Sequence, residues 1–442
     1  MKLIPMLSVT YVVTLLAVTY GGPMRDLQSV IFFVCILTSA QMYGAEFHPA
    51  TTFETNQRQH GHLPASDIWW TVYGKDQHWN FRNLHQILPT VNVYRDGEIH
   101  HLEQTLNPDI GAHPISTPDG PLPFNQFITS DYSTATGVII LHKGKIAFEA
   151  YPRMQPYEMP IYWSVSKVLT GLLIRILEER GKIDVSKPIE KYLPELSTSA
   201  LKGTTVRNLL DMATGLDCAD DYEDKSSCYY RYSIAIGDGY WQVGDPKDPY
   251  VYVSQLKADR LHPQGQHFSY SSLNTFVLSW LVEKVTGLSF QDAFTREVWW
   301  KIGAEANASF IAPHQGVALA HGGFLARLRD LARFGLIYTP SYDGPAIVHP
   351  EHLKLLLTQG RRQLLENAGV KWPGLRHNIY QWDAVLDDDT LFKGGWAGQG
   401  LLINPRLDVV AVFTGYYKED QSEIPLGPQI LNLIKTVYAD KP

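Results

Sequence analysis

The chain has 442 residues, 45% of them apolar, which is enough for a large core and for two or three domains. A formal net charge of −7 and the lack of any basic run argue against a protein that grips nucleic acid. Phosphate loops, H-E-x-x-H metal motifs and G-x-S-x-G nucleophile elbows are missing from the sequence, and the tightest histidine group, "HGH" at 60–62, reads as solvated loop residues.

The first 45 residues hold two apolar runs, 3–20 and 27–40. The second has Arg25 in front and the small residues Ser39 and Ala40 behind, the form of a secretory signal peptide. Met24 is an alternative start. The competing reading is an uncleaved anchor, for which the first run is just long enough. Either reading places the main body outside the cytoplasm, periplasmic or secreted, with membrane attachment through the N-terminus in the anchor case. Cys35 lies in this leader without the preceding small residue of a lipoprotein signal. Cys218 and Cys228, in "CADDYEDKSSC", are the remaining cysteines and the candidates for a disulfide in an oxidising compartment; two free thiols are the alternative.

Residues 46–130 are rich in His, Asn, Pro and Trp with little periodicity, and read as an irregular extension wrapped on a main domain at 131–442. That domain opens with "GVIILHKGKIAFEAY" (137–151), two β-rich runs around Lys143-Gly144 that predict a hairpin. In "YWSVSKVLTGLLIRILEERGKID" (162–184), Leu169, Leu172, Leu173, Ile176 and Leu177 form one apolar stripe of a helix that Gly181 closes. Further helices are predicted at "TVRNLLDMAT", 271–287, 324–338 and "PQILNLIKTVYA", and three strands in "LFKGG" and "GQGLLINPRLDVVAVFTGY", with a turn at "NPRLD". Strands at both ends and helices between predict a mixed α/β fold of the α+β type: one antiparallel sheet made by both ends of the domain, with a helical region inserted.

Three serines stand three residues ahead of a lysine: Ser164, Ser199 and Ser254. A serine nucleophile needs a rigid setting and a base within hydrogen-bond reach. Only Ser164 and Lys167 head a periodic buried helix, whose first turn places i and i+3 on one face and offers free N–H groups. Ser199, between Pro194 and Gly203, reads as a loop, and Ser254 as a surface segment. The flanking Tyr162, Trp163 and Val165 supply a dry setting that would lower the lysine pKa toward working pH. Two further boxes follow. Tyr270-Ser271-Ser272 immediately precedes a buried helix, and Lys393-Gly394-Gly395 lies on a predicted strand whose glycines would let substrate lie close.

The order S-x-x-K, Y-x-[NS], K-x-G at 164, 270 and 393 resembles the penicillin-recognising serine hydrolases. More narrowly it resembles the class C β-lactamase-related group that holds certain carboxylesterases and the nylon-oligomer (aminohexanoate-dimer) hydrolases. Stretches such as "IEKYLPEL", "FSYSSLNTFVLSWLVEKVTG", "GGFLARLRDLARFG" and "GWAGQGLLINP" extend the likeness over about residues 80–420. The resemblance implies a β-lactamase/transpeptidase-like fold, a covalent acyl-enzyme on a small ester or amide, and no cofactor or metal. It implies Ser164 as nucleophile, Lys167 as its base and Tyr270 as proton relay. It places the oxyanion between the N–H groups of Ser164 and Trp396, and the charge of Lys393 beside the tyrosine or a substrate carboxylate. Ser272 stands where many relatives have asparagine, and Gly394 where β-lactamases have a hydroxyl residue, so two groups that help hold a β-lactam are missing. The alternatives are a cell-wall peptidase or β-lactamase, and a non-catalytic sensor module, which the presence of both Ser164 and Lys167 disfavours.

Overall fold

Val138 and Ile140 face one side of a strand and Ile139 and Leu141 the other, and all four are fully buried. Such a strand must be covered on both faces. In the computed structural model, which describes residues 48–62 and 75–438, it lies inside a seven-stranded sheet. The strands are β1 (Gly137–His142), β2 (Lys145–Ala150), β3 (Leu375–Ile379), β4 (Trp382–Leu386), β5 (Leu391–Gly395), β6 (Gln399–Asn404) and β7 (Val409–Thr414). Their spatial order is β2-β1-β7-β6-β5-β4-β3, antiparallel throughout, so both ends of the domain build one sheet as expected. Lys143 and Gly144 both have positive φ, as a two-residue I′ turn between β1 and β2 requires.

One face of the sheet carries Val138, Ile140, Leu402, Ala411 and Phe413, and is covered by Leu426, Ile430, Leu433 and Ile434 of the closing helix Leu426–Tyr438. The other face carries Ile139, Leu141, Leu401, Ile403, Val410 and Val412 and packs on the helical region. There the helix Lys167–Glu179 buries the predicted stripe and packs on Ser272–Thr286. Gly181 and Gly287, at the two helix ends, adopt positive φ, the usual stop signal.

The structure departs from the sequence reading in several places. The described residues of 46–130 are not irregular throughout: they include the helices Phe53–His62 and Lys75–Ile87 and a strand, Thr90–Val93, paired with Ala308–Ile311. "HGH" at 60–62 therefore ends a helix rather than lying in a loop. The second of these helices buries Trp79, Phe81 and Leu84, but also Gln77, Asn80, Arg82 and Asn83, which hid its period. Two of its polar residues find distant partners: Arg82 pairs with buried Glu158 at 2.8 Å, and Gln77 Oε1 accepts the Tyr417 N–H at 2.6 Å. The run 324–338 splits into a short strand, Phe324–Leu325, and the helix Leu328–Leu336. Strands β3 and β4 were not anticipated. The apolar leader, with its signal or anchor role, lies outside the described residues. Among the described residues no helix is long and apolar enough to cross a membrane.

Candidate active site

Ser164 does not begin the α-helix directly. It sits in a 3-10 turn, Trp163–Ser166, that feeds into the helix at Lys167. In a 3-10 turn, side chains at i and i+3 eclipse, and Lys167 Nζ lies 3.1 Å from Ser164 Oγ. The turn is pinned by Ser166, whose hydroxyl donates to Trp163 O at 2.6 Å and accepts the Phe324 N–H at 3.1 Å. Trp163 is held at φ 48°, a conformation bulky residues avoid and which functional sites retain.

Lys167 is fully buried and donates to the His321 carbonyl at 2.8 Å. Burial lowers its pKa; Asp220 pushes back and Lys393 pulls down, leaving it at about 7. A lysine there is half neutral at neutral pH and able to accept a proton.

Tyr270 stands two residues ahead of the helix Ser272–Thr286. Its hydroxyl accepts from Lys393 Nζ at 3.0 Å, and the ammonium groups of Lys167 and Lys393 lie 5.0 and 4.8 Å from its ring centroid. Burial, then the charges of Asp383 and Asp220, raise the tyrosine pKa well above its ordinary value, while Ser164 pulls it back. Tyr270 therefore keeps its proton at neutral pH.

Strand β5 runs past the turn that holds Ser164, and Gly395 packs on the Tyr162 carbonyl. Gln399 Nε2 donates to the carbonyls of Trp396, Ala397 and Gly415 at 3.2, 3.1 and 2.8 Å, which fixes the turn after β5. The Trp396 ring packs on Trp163 and Phe81, each with centroids 5.7 Å away. Phe81 comes from the helix in the supposed extension, so that segment backs the two tryptophans that line the site.

Ser272 lines the site, but its hydroxyl is engaged: Ser272 N–H and Oγ–H each donate to one carboxylate oxygen of Asp220 at 2.6 Å. Asp220 N–H in turn donates to Tyr270 O at 3.0 Å, and Ser271 Oγ to Cys218 O at 2.6 Å. Cys218 and Cys228 are joined by a disulfide with Cα atoms 5.0 Å apart. The bridged loop is thus stitched to the tyrosine box. Sequence reasoning missed Asp220, Asp238, His321 and Asp383. The acidic run between the two cysteines was the only available signal, and it pointed to none of them by spacing. Asp238 lies 3.5 Å from His321 Nε2, with Tyr232 OH 3.1 Å from Nδ1. Burial pushes the Asp238 pKa up and the His321 pKa down, favouring the uncharged form of each.

The other two serines lie elsewhere. Ser199 is not an open loop residue; it is buried, donating to Val253 O at 2.8 Å. Ser254 is half-buried at the end of the helix Pro249–Ser254 and donates to Val251 O at 2.8 Å. Ser164, Tyr270, Ser272, Gly395 and Trp396 all line one cavity of about 700 Å³, while Lys167 and Lys393 sit buried behind it. The arrangement can activate a hydroxyl, donate a proton beside it and enclose a small molecule.

A family model described as Beta-lactamase matches residues 129–423, so the chain belongs to the beta-lactamase family. Within that family it is a hydrolase, as its relatives are. It is 29% identical over 355 residues to the 6-aminohexanoate-dimer hydrolase of Paenarthrobacter ureafaciens, covering 79% of this chain and 87% of that one. It is also 29% identical over 286 residues to the teichoic acid D-alanine hydrolase of Staphylococcus aureus, covering 62% of each. Among solved structures, a Bacillus anthracis protein provisionally named a 6-aminohexanoate-dimer hydrolase superposes with a TM-score of 0.69 at 21% identity, over 83% of this chain and 93% of that chain. EstCE1, described as a hydrolase with promiscuous acyltransferase activity, superposes with a TM-score of 0.56 at 18% identity, over 71% of this chain and 96% of that chain. The family and fold expected from the three boxes are both borne out.

Proposed function

We propose that the protein is a serine hydrolase that cleaves small esters or amides through an acyl-enzyme on Ser164. The observation that carries this reading is the fully buried Lys167, with a pKa of about 7 and its Nζ 3.1 Å from Ser164 Oγ. Neutral Lys167 takes the Ser164 proton as Oγ bonds to the substrate carbonyl carbon. The oxyanion is received by the N–H groups of Ser164 and Trp396; the first lies in an opening helical turn, where it needs no partner within the turn. Tyr270, protonated and held by Lys393, passes its proton to the leaving group and is reprotonated from the Lys167 side, 5.0 Å from its ring. Water then repeats the sequence to free the acid.

The aminohexanoate-dimer and teichoic acid D-alanine hydrolases support an ester or amide substrate by their names. The apolar leader and the Cys218–Cys228 bridge support an extracytoplasmic location, since disulfides persist in oxidising compartments. The test is mass spectrometry after incubation with a fluorophosphonate, followed by digestion. One adduct on the peptide holding Ser164 is expected. No adduct, or one on Ser199 or Ser254, would sink the assignment.

A further inference from the structure

We propose that Asp383 sets the substrate class of this site: by pairing with Lys393 it occupies the place where a substrate carboxylate would dock, so the acyl pocket accepts neutral or cationic acyl groups and turns anionic ones away. The proposal rests on the reading of Ser164 as the acylated residue only for where the acyl group sits.

Three observations carry it. First, both oxygens of Asp383 are committed to β5: Oδ1 bonds Lys393 Nζ, and Oδ2 accepts the Gly394 N–H at 3.0 Å. The register, Leu391 opposite Val385 and Phe392 opposite Ala384, continues to set Asp383 across from Lys393. Second, the order of charges along the approach is inverted. The Lys393 side chain is 0% exposed and stands behind the wall, whereas Asp383 is 30% exposed and lines the cavity. An incoming anion meets the carboxylate before the ammonium. Gly394 has no side chain to cover Asp383 from the cavity side. Third, no cation of the cavity wall replaces the masked one. Among the described residues that wall contains no lysine or arginine, and its acidic members include Asp220 and Glu223. In the adjoining groove, Arg362 pairs with Glu366 and Arg376 with Asp389, and Lys371 is exposed outside the cavity wall.

The experiment compares three 4-nitrophenyl esters whose acyl chains end in a methyl (pentanoate), a carboxylate (glutarate half-ester) or an ammonium (4-aminobutyrate). Wild type is expected to prefer the neutral and cationic esters over the anionic one by about tenfold or more in kcat/KM, the scale set by placing like charges together in a partly desolvated site. Asp383→Asn frees Lys393 to meet the glutarate carboxylate, so the anionic-to-neutral ratio should rise by about tenfold. Taking a ratio cancels any general loss from a shifted Lys393 or Tyr270. Wild type turning over the glutarate ester as well as the pentanoate, or a ratio that Asp383→Asn leaves unmoved, would overturn the proposal. Should Asp383→Asn lose activity on all three esters, the comparison is read as binding of the same esters by calorimetry to Ser164→Ala and Ser164→Ala/Asp383→Asn. An unchanged preference there is equally decisive against it. Wild type that turns over none of the esters would sink the hydrolase reading, while the binding comparison would still decide the role of Asp383.

Discussion

Gly395 lies against the Tyr162 carbonyl at a separation that admits no side chain: a Cβ there would overlap that oxygen and the side chain of Gln399. The two ends of the site are thereby clamped together, since Tyr162 leads into the nucleophile turn and Gly395 leads to Trp396. Gly395→Ala should push β5 away from Ser164 and open the gap between the two oxyanion donors. The expected loss is about 100-fold or more in kcat/KM, the scale of losing one such donor. Kinetics on a nitrophenyl ester, with circular dichroism to establish folding, measures it; near-wild-type activity would show that the clamp is dispensable.

Ser164→Ala should abolish turnover and probe labelling without unfolding the chain, a loss of about 1,000-fold or more. Ser199→Ala and Ser254→Ala serve as controls. Each removes only a hydroxyl bonded to a nearby carbonyl. Activity close to wild type is expected in both, with a modest fall in melting temperature for buried Ser199 alone.

The pKa of Lys167, about 7, predicts the pH profile. The base must be neutral, so kcat/KM should rise by about tenfold per unit below that value and level off above it. Asp220 raises this pKa, so Asp220→Asn should move the limb to lower pH while also slowing the reaction through the loosened Ser272. The same shift has a stability signature. Between about 7 and the lysine's ordinary 10.5, the unfolded chain holds a proton that the folded chain has released, so the Lys167 contribution to stability increases with pH across that window. Denaturation of wild type and Lys167→Met at several pH values should show wild type gaining on the variant as pH rises. A flat pH–rate profile with an active Lys167→Met would rule out the Ser–Lys mechanism.

The disulfide is expected to matter twice. Opening a ring of this size costs about 2–3 kcal/mol of stability through the unfolded chain. Because Ser271 and Ser272 bond to Cys218 O and Asp220, the loosened loop should also cost activity. The Cys218→Ser/Cys228→Ser variant, assayed well below its melting temperature, separates the two. Full kcat with lower stability would leave the bridge a purely structural role.

Small nitrophenyl esters should be turned over with higher kcat/KM than nitrocefin. The Ser272 hydroxyl is engaged by Asp220, Gly394 has no hydroxyl, and Lys393 is paired with Asp383. Each absent hydrogen bond to a charged group forfeits about 1.5–3 kcal/mol. The sequence reading left Lys393 available to a substrate carboxylate; on the proposal made for Asp383, the ion pair closes that option. A higher value for nitrocefin would favour a β-lactamase instead.

The local elements were legible because their signals are short-range. The hairpin at Lys143-Gly144, the stripe from Leu169 to Leu177 and the stop glycines depend on backbone sterics and on a repeat that one stretch contains whole. The setting that separates Ser164 from Ser199 and Ser254 was legible for the same reason, since only one of the three heads a buried periodic helix. The helix Lys75–Ile87 was not, because polar Gln77 and Arg82 are buried against partners as remote as Tyr417 and Glu158, and no local pattern records a partner. The charges around the site belong to this second kind. Asp220 and Asp383 come from separate stretches, and burial and proximity give them their effect on Lys167, Tyr270 and Lys393. Both are properties of the assembled core. The sequence by itself thus determined which residue types were on hand for acyl transfer; the tertiary structure alone decided how each is charged and which of them a substrate meets first.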